Sequence, residues 1–190
     1  MGRSPSRHRS AVQPADKSAQ AAPGTLLRAA VFDASGCYRY TLTRRWAPGG
    51  DSVAFVLLNP STADAERDDP TIRRCMGFAR DWGFAALEVV NLFAWRVTQP
   101  AGLRRAPDPV GPENDAHLLR VTQAARRVVL AWGIHGALGG RDAAVCALLA
   151  SAVRRLECLG VTQGGHPRHV LYLPRDTRPV VYRPGAWGGR

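Results

Sequence analysis

Apolar residues gather in three short runs, Val53 to Leu58, Ala86 to Phe93 and Val128 to Gly133, each closing on polar residues or glycine. Such runs predict strands covered on both faces, as in a parallel sheet. Between them the spacing turns helical. Ile72, Cys75, Met76 and Ala79 predict a helix over Thr71 to Trp82 that stops at Gly83. Ala116, Leu119 and Ala124 predict an amphipathic helix over Glu113 to Arg127. Val145, Leu148, Leu149, Ala152, Val153 and Leu156 predict a third helix over Arg141 to Leu159, and Val170 to Leu173 a last strand. Ahead of these, Leu26 to Phe32 and Cys37 to Leu42 predict a hairpin around the turn Asp33-Ala34-Ser35-Gly36. Strands alternating with helices in this order predict an α/β fold: a three-layer α/β/α sandwich with a central, mainly parallel sheet.

Composition adds boundaries to this pattern. With 190 residues, 45% of them apolar, the chain is long enough for one globular domain with a substantial core, expected over 25–175. Residues 1–24 mix Ser, Pro, Ala, Gln and Arg without periodicity and predict a disordered basic arm, and 176–190 a basic C-terminal tail. No run reaches the roughly 18 apolar residues of a membrane span, and the start lacks a signal peptide's apolar core, so the expectation is a cytoplasmic protein with no membrane partner. Cys37, Cys75, Cys146 and Cys158 are far apart and form no Cys-x-x-Cys pair, which predicts reduced, buried thiols and no zinc ribbon. His8, His117 and His135 have no ligand spacing with them, so neither a metal nor a cofactor is expected. The formal charge of +11 at pH 7 favours a polyanionic partner, although Arg outweighs Lys so far, with Lys17 the single lysine, that genome composition accounts for the bias equally well.

The first apolar run leads into Asn59-Pro60-Ser61-Thr62-Ala63-Asp64 and then Asp68-Asp69-Pro70-Thr71-Ile72-Arg73-Arg74. Pro60 ends the strand, and in open α/β sheets ligands sit beyond the carboxyl ends of strands, where this loop belongs. Taken singly, Ser61, Thr62 and Asp64 also suit a turn or helix cap. Asp69-Pro70-Thr71 is an ordinary helix start, so Asp64 is favoured over Asp69 for chemistry. Asn91, ending the second run, carries both an acceptor and a donor able to read a nucleobase edge, and suits a turn equally well. His166 and His169 flank Arg168 in a glycine-rich loop, where a histidine either donates to a developing anion or lies idle at the surface. Phe93, Trp46, Trp95 and Trp132 could stack a base, although aromatics at strand ends belong more often to the core.

From about Tyr38 to Leu173 the ordered runs Tyr38-Arg39-Tyr40, Leu58 to Asp64, Asp69-Pro70-Thr71, Val90 to Ala94, Ala131-Trp132-Gly133 and Gly165 to Leu173 resemble an uncharacterised bacterial and phage family marked by the Asn-Pro-Ser-Thr-Ala-Asp motif. The same order of motifs is similar, more distantly, to the uracil-DNA glycosylase superfamily. Pro60 to Asp64 match its first loop, Asn91 to Arg96 its Asn-bearing strand end, Trp132-Gly133 its Gly-ending strand and His169 its His-Pro-Ser-type loop. The resemblance implies a glycosylase-like fold and hydrolysis of the N-glycosidic bond of a modified or damaged base in DNA. Its catalytic residues would be Asn59, Asp64 and His169, with Asp64 positioning water or balancing the sugar cation and His169 stabilising the departing base. Asn91, Phe93, Ser61 and Thr62 would bind the base, and Arg73, Arg74, Arg96, Arg168 and His166 the nucleic acid. Val170 and Leu171 follow His169 where the resemblance leads one to expect Pro and Ser. A non-catalytic base sensor and an enzyme acting on free nucleotides or nucleosides are the alternatives.

Overall fold

The computed structural model describes residues 27–185, so the expected arm over 1–24 and the last residues of the tail lie outside the described residues. Seven strands form one sheet: β1 (Leu27–Phe32), β2 (Arg39–Arg45), β3 (Ser52–Leu57), β4 (Ala86–Asn91), β5 (Arg127–Leu130), β6 (Leu156–Cys158) and β7 (Val180–Val181), in the spatial order β1-β2-β4-β3-β5-β6-β7. The sheet is mixed. Its four central strands, β4-β3-β5-β6, run parallel, while β1, β2 and β7 join antiparallel at the edges. Three helices connect the parallel strands: α1 (Pro70–Asp81), α2 (Asn114–Ala124) and α3 (Arg141–Ala150).

The connections explain which face each helix covers. The chain steps from β3 to β4 in one direction, then returns past β3 to β5 and continues to β6. With right-handed crossovers, that reversal places α1 on one face and α2 and α3 on the other. Burial along β3 agrees: Val53, Phe55 and Leu57 pack with Ile72, Cys75, Phe78 and Ala79 of α1, whereas Ala54, Val56 and Leu58 pack with Leu118 of α2 and Val145 and Leu149 of α3. The reversal also makes a topological switch point between the carboxyl ends of β3 and β5, the place where open α/β sheets hold ligands.

The sequence pattern and the structure part company after α3. The predicted helix to Leu159 ends at Ala150, and the apolar residues beyond it serve a strand, because Leu156 to Cys158 pair with Val128 to Leu130 of β5. Three residues are too few to show a strand period, and Val153 and Leu156 happen to continue the helical one. Glu157 sits in that short strand, buried, with Arg127 and Arg155 each 2.9 Å from its carboxylate. Val170 to Leu173 is a loop: Val170 and Leu173 are buried in the core on the α1 side, while Tyr172 is 97% exposed with a left-handed φ of 64°. The strand that closes this edge is β7, which pairs with β6, so the sheet extends beyond residue 175. No helix among the described residues is long and apolar enough to cross a membrane. Cys75, Cys146 and Cys158 are buried free thiols, their pKa values raised by desolvation, whereas Cys37 is exposed at the hairpin turn.

The loop between β3 and α1 is held by a fully buried arginine. Arg44 of β2 donates through Nε to Asp68 at 2.8 Å, through Nη1 to the carbonyls of Thr43 and Ala29, and through Nη2 to those of Asp64 and Arg67. Arg28 of β1 reaches the other oxygen of Asp68 at 2.9 Å. Every guanidinium nitrogen of Arg44 therefore has a partner, which is the condition for tolerating a buried charge. Arg44→Met should lower stability by about 3–5 kcal/mol in urea unfolding, because one oxygen of Asp68 and several loop carbonyls lose their donor; a change below about 1 kcal/mol would show that the loop holds its shape without this arginine.

Candidate functional site

A cavity of about 560 Å³ opens at the switch point. Leu57, Leu58 and Asn59 at the end of β3 form one wall, and Trp132, Gly133 and Ile134 after β5 form another. Ser61, Thr62 and the start of α1, Asp69 to Ile72, close a third side, with Val97, Thr98, His169 and Leu171 around the mouth. Its lining is largely apolar with a few convergent polar groups, the usual composition of a small-molecule site.

Local chemistry explains how each element reaches the cavity. Gly133 turns with φ of +75°, a conformation that favours glycine, and its N–H donates to the Pro167 carbonyl at 2.9 Å. That bond draws the His169 loop onto the end of β5. Buried Val170 and Leu173 fasten the loop to the core, and Arg74 donates to the Leu173 carbonyl. The His169 ring accepts the Leu171 N–H at Nδ1, 3.3 Å away, so the neutral ring carries its proton on Nε2. Burial lowers its pKa and the Asp69 carboxylate pulls it partly back, which keeps the ring neutral near pH 7 as a donor. Asn59 donates from Nδ2 to the carbonyls of Val97 at 2.6 Å and Pro60 at 2.8 Å, pinning the Val97 segment across the cavity.

Asp69 caps α1. Its Oδ1 accepts the Ile72 N–H at 2.8 Å, and Pro70 occupies the first helical position. The carboxylate nonetheless lines the cavity and acts electrostatically on both His169 and Arg39. Asp64 takes the opposite place. Its Oδ1 accepts the N–H groups of Glu66 and Arg67 at 2.8 and 2.7 Å, bonds that hold its pKa below the usual carboxylate range, and the side chain does not line the cavity. Asp64 thus builds the turn, and the helix-capping Asp69, set second to it in the sequence, is the one that lines the cavity.

The remaining expected site residues divide as plainly. Asn59, Ser61, Thr62 and His169 line the cavity together. Asn91 is wholly buried behind it; neither side-chain polar atom has a partner among the described residues, and its backbone carbonyl accepts from Asn114. Phe93 belongs to the core on the α2 and α3 side. Arg74 lies over the Phe78 ring at 4.5 Å, and Arg96 over the Phe32 ring at 4.9 Å with a bond to the Gly36 carbonyl, so both serve packing. Arg73 and Arg168 are exposed, and His166 faces Asp142 at 3.5 Å, away from the cavity.

Arg39 was not among the expected site residues. The pairing of β1 with β2 skips one residue, Val31 facing Thr41 and Phe32 facing Arg39, so Tyr40 is an extra residue in a bulge. Tyr40 stacks on His117 of α2, and the bulge turns Arg39 to the other face, where it lines the cavity and donates to the Ala63 carbonyl at 2.7 Å. The motif Tyr38-Arg39-Tyr40 contained the signal, an arginine between aromatics in a strand, but no sequence rule locates a bulge.

Fold and site together define an α/β protein with a preformed pocket at the switch point of its sheet. The chain belongs to a family of unknown function, DUF1643, whose family model matches residues 39–171. That span runs from Arg39 to Leu171 and takes in every residue lining the cavity. No curated protein and no solved structure matches the chain.

In an NMR titration the His169 ring should show a midpoint below the ordinary 6.5, and Asp69→Asn should lower it further by removing the carboxylate that favours the charged ring. Because the folded pKa is depressed, the unfolded chain takes up a proton that the folded ring refuses, so this group's contribution falls as pH drops below 6.5. A midpoint at or above 6.5, or a rise in Asp69→Asn, would contradict the geometry.

Proposed function

We propose that the cavity binds a nucleobase with its sugar and that the protein hydrolyses the N-glycosidic bond of a modified or damaged base. The observation that carries this reading is the meeting of the Asn59 to Thr62 loop, Trp132-Gly133 and His169 at one cavity large enough for a base and its sugar. Those are three of the motifs through which the sequence resembles the uracil-DNA glycosylase superfamily, whose fold the reading also assumes. In the reaction the bond between the sugar carbon and the base nitrogen breaks and water adds its oxygen to that carbon. His169 Nε2–H donates to the departing base, offsetting the negative charge that develops on it. Asp69, not Asp64, takes the proton from water and balances the positive sugar. Asn59, with its amide nitrogen held by two carbonyls, presents its oxygen to the pocket. The net charge of +11 supports DNA as the carrier of the base, and a cytoplasmic setting follows from that role.

A second reading has its own support. Asp64, to which the resemblance gives the water-positioning role, does not line the cavity, and a pocket in which no carboxylate activates water serves as a base sensor.

The two readings separate in a base-release assay on duplex and single-stranded oligonucleotides carrying uracil, hypoxanthine, and alkylated or oxidised bases. Release of a free base is expected on at least one substrate, with His169→Ala and Asp69→Asn each slowing it by about 10²–10³. Salt-sensitive binding without release on the whole panel would rule out hydrolysis and leave the sensor.

A further inference from the structure

Arg39 and Arg44 lie in the same strand, both are buried, and they differ in one respect. Each nitrogen of the Arg44 guanidinium has a partner. Arg39 is 2% exposed, yet its Nη1 bond to Ala63 is its side chain's hydrogen bond to the protein, its Nε has no partner, and no carboxylate lies within ion-pair distance of it among the described residues. A buried cation left in that state is costly, and desolvation draws its pKa down to about 10. The neighbouring acids relieve it only in part: Asp69 and Asp64 favour its charge from a distance, but none forms an ion pair with it. Asp68 is shared by Arg28 and Arg44, Asp64 holds two backbone N–H groups, and one oxygen of Asp69 caps α1.

This guanidinium faces the cavity beside the first turn of α1, twelve residues long. There Thr71 lines the cavity, and the helix dipole favours negative charge. We propose that Arg39 and the start of α1 form an oxyanion subsite that receives the 5′-phosphate of a nucleoside monophosphate unit. Arg39, Asp69 and His169 line one cavity, and with the base at His169 the phosphate falls to Arg39 and the sugar to the space beside Asp69. A phosphate reaching a guanidinium so deeply buried has no exit for a continuing strand. The unit is therefore a free 5′-nucleotide or the 5′-phosphorylated end of a strand, rather than an internal residue. This refinement rests on the base pocket proposed above and names the class of ligand that fills it.

The test is calorimetric titration of the full-length protein with the common nucleoside 5′-monophosphates, the matching nucleosides, inorganic phosphate, and short oligonucleotides with and without a 5′-phosphate. At least one monophosphate should bind tenfold or more tightly than its nucleoside. Arg39→Met should abolish that advantage, Arg39→Lys should keep part of it, and Thr71→Val should reduce it. Tight binding of the mononucleotide alone would identify a free nucleotide as the source, and equal binding of the 5′-phosphorylated oligonucleotide a strand end. Equal affinity for nucleoside and nucleotide overturns the subsite on the wild-type protein alone, whether or not the Arg39 variants fold. An undiminished advantage in a folded Arg39→Met overturns it as well. Base release from oligonucleotides lacking a 5′-phosphate, unchanged in Arg39→Met, would remove the subsite and leave the glycosidic reading intact; phosphate-dependent nucleotide binding without base release would do the reverse.

Discussion

The buried guanidinium of Arg44 is the constraint on which the site depends. The segment from Asn59 to Asp69 has no regular structure and buries little beyond Pro60 and Ala63, so packing alone does not fix its path. Arg44 supplies the fixed point, gathering Asp68 and the carbonyls of Asp64 and Arg67 around one planar fork. A guanidinium suits the task because its donors are rigid and spread over an arc, which lets one side chain set the direction of several loop groups. Once that loop is placed, Asp69 caps α1, and the start of the helix becomes a wall of the cavity.

The connection order of the sheet does the rest. Because the chain reverses direction after β4, the helices from β3 and β5 leave on opposite faces and their strand ends are left with an open crevice between them. Gly133 and Pro167 then bring a distant loop to that crevice with one backbone hydrogen bond, so that His169 meets residues more than a hundred positions earlier in the chain. The pocket is thus a product of topology, and the local motifs decide only which side chains occupy it.

The two arginines of β2 show how one residue type takes two roles. Arg44 is satisfied throughout by the loop it organises, and its burial is explained by structure alone. Arg39, turned by the Tyr40 bulge to the same face, is left largely unpaired against a cavity, and no contact within the fold accounts for its burial as the loop does for Arg44. Burial and charge alone do not distinguish them; the count of hydrogen-bond partners does.

Hydrophobic patterning was sufficient to determine the α/β alternation, the parallel core from β3 to β5, the starts of α1 and α3 and the region of the β3–α1 loop, because burial on two faces and helical periodicity are properties of neighbouring residues; α2 forms where expected, but it buries Asn114, Leu118 and Thr122 and leaves Ala116 and Ala124 exposed. The fate of 156–173 was not legible: a three-residue strand is stabilised by its pairing with β5, and Val170 and Leu173 by a core built from other elements. The same holds within the site. Asp64 and Asp69 are chemically alike in the sequence, and only the tertiary structure decided that one would bind backbone amides of its own turn while the other faced His169 and Arg39. That choice depends on where Arg44 pulls the loop and where the bulge at Tyr40 turns β2, and both are set by contacts between segments distant in the chain.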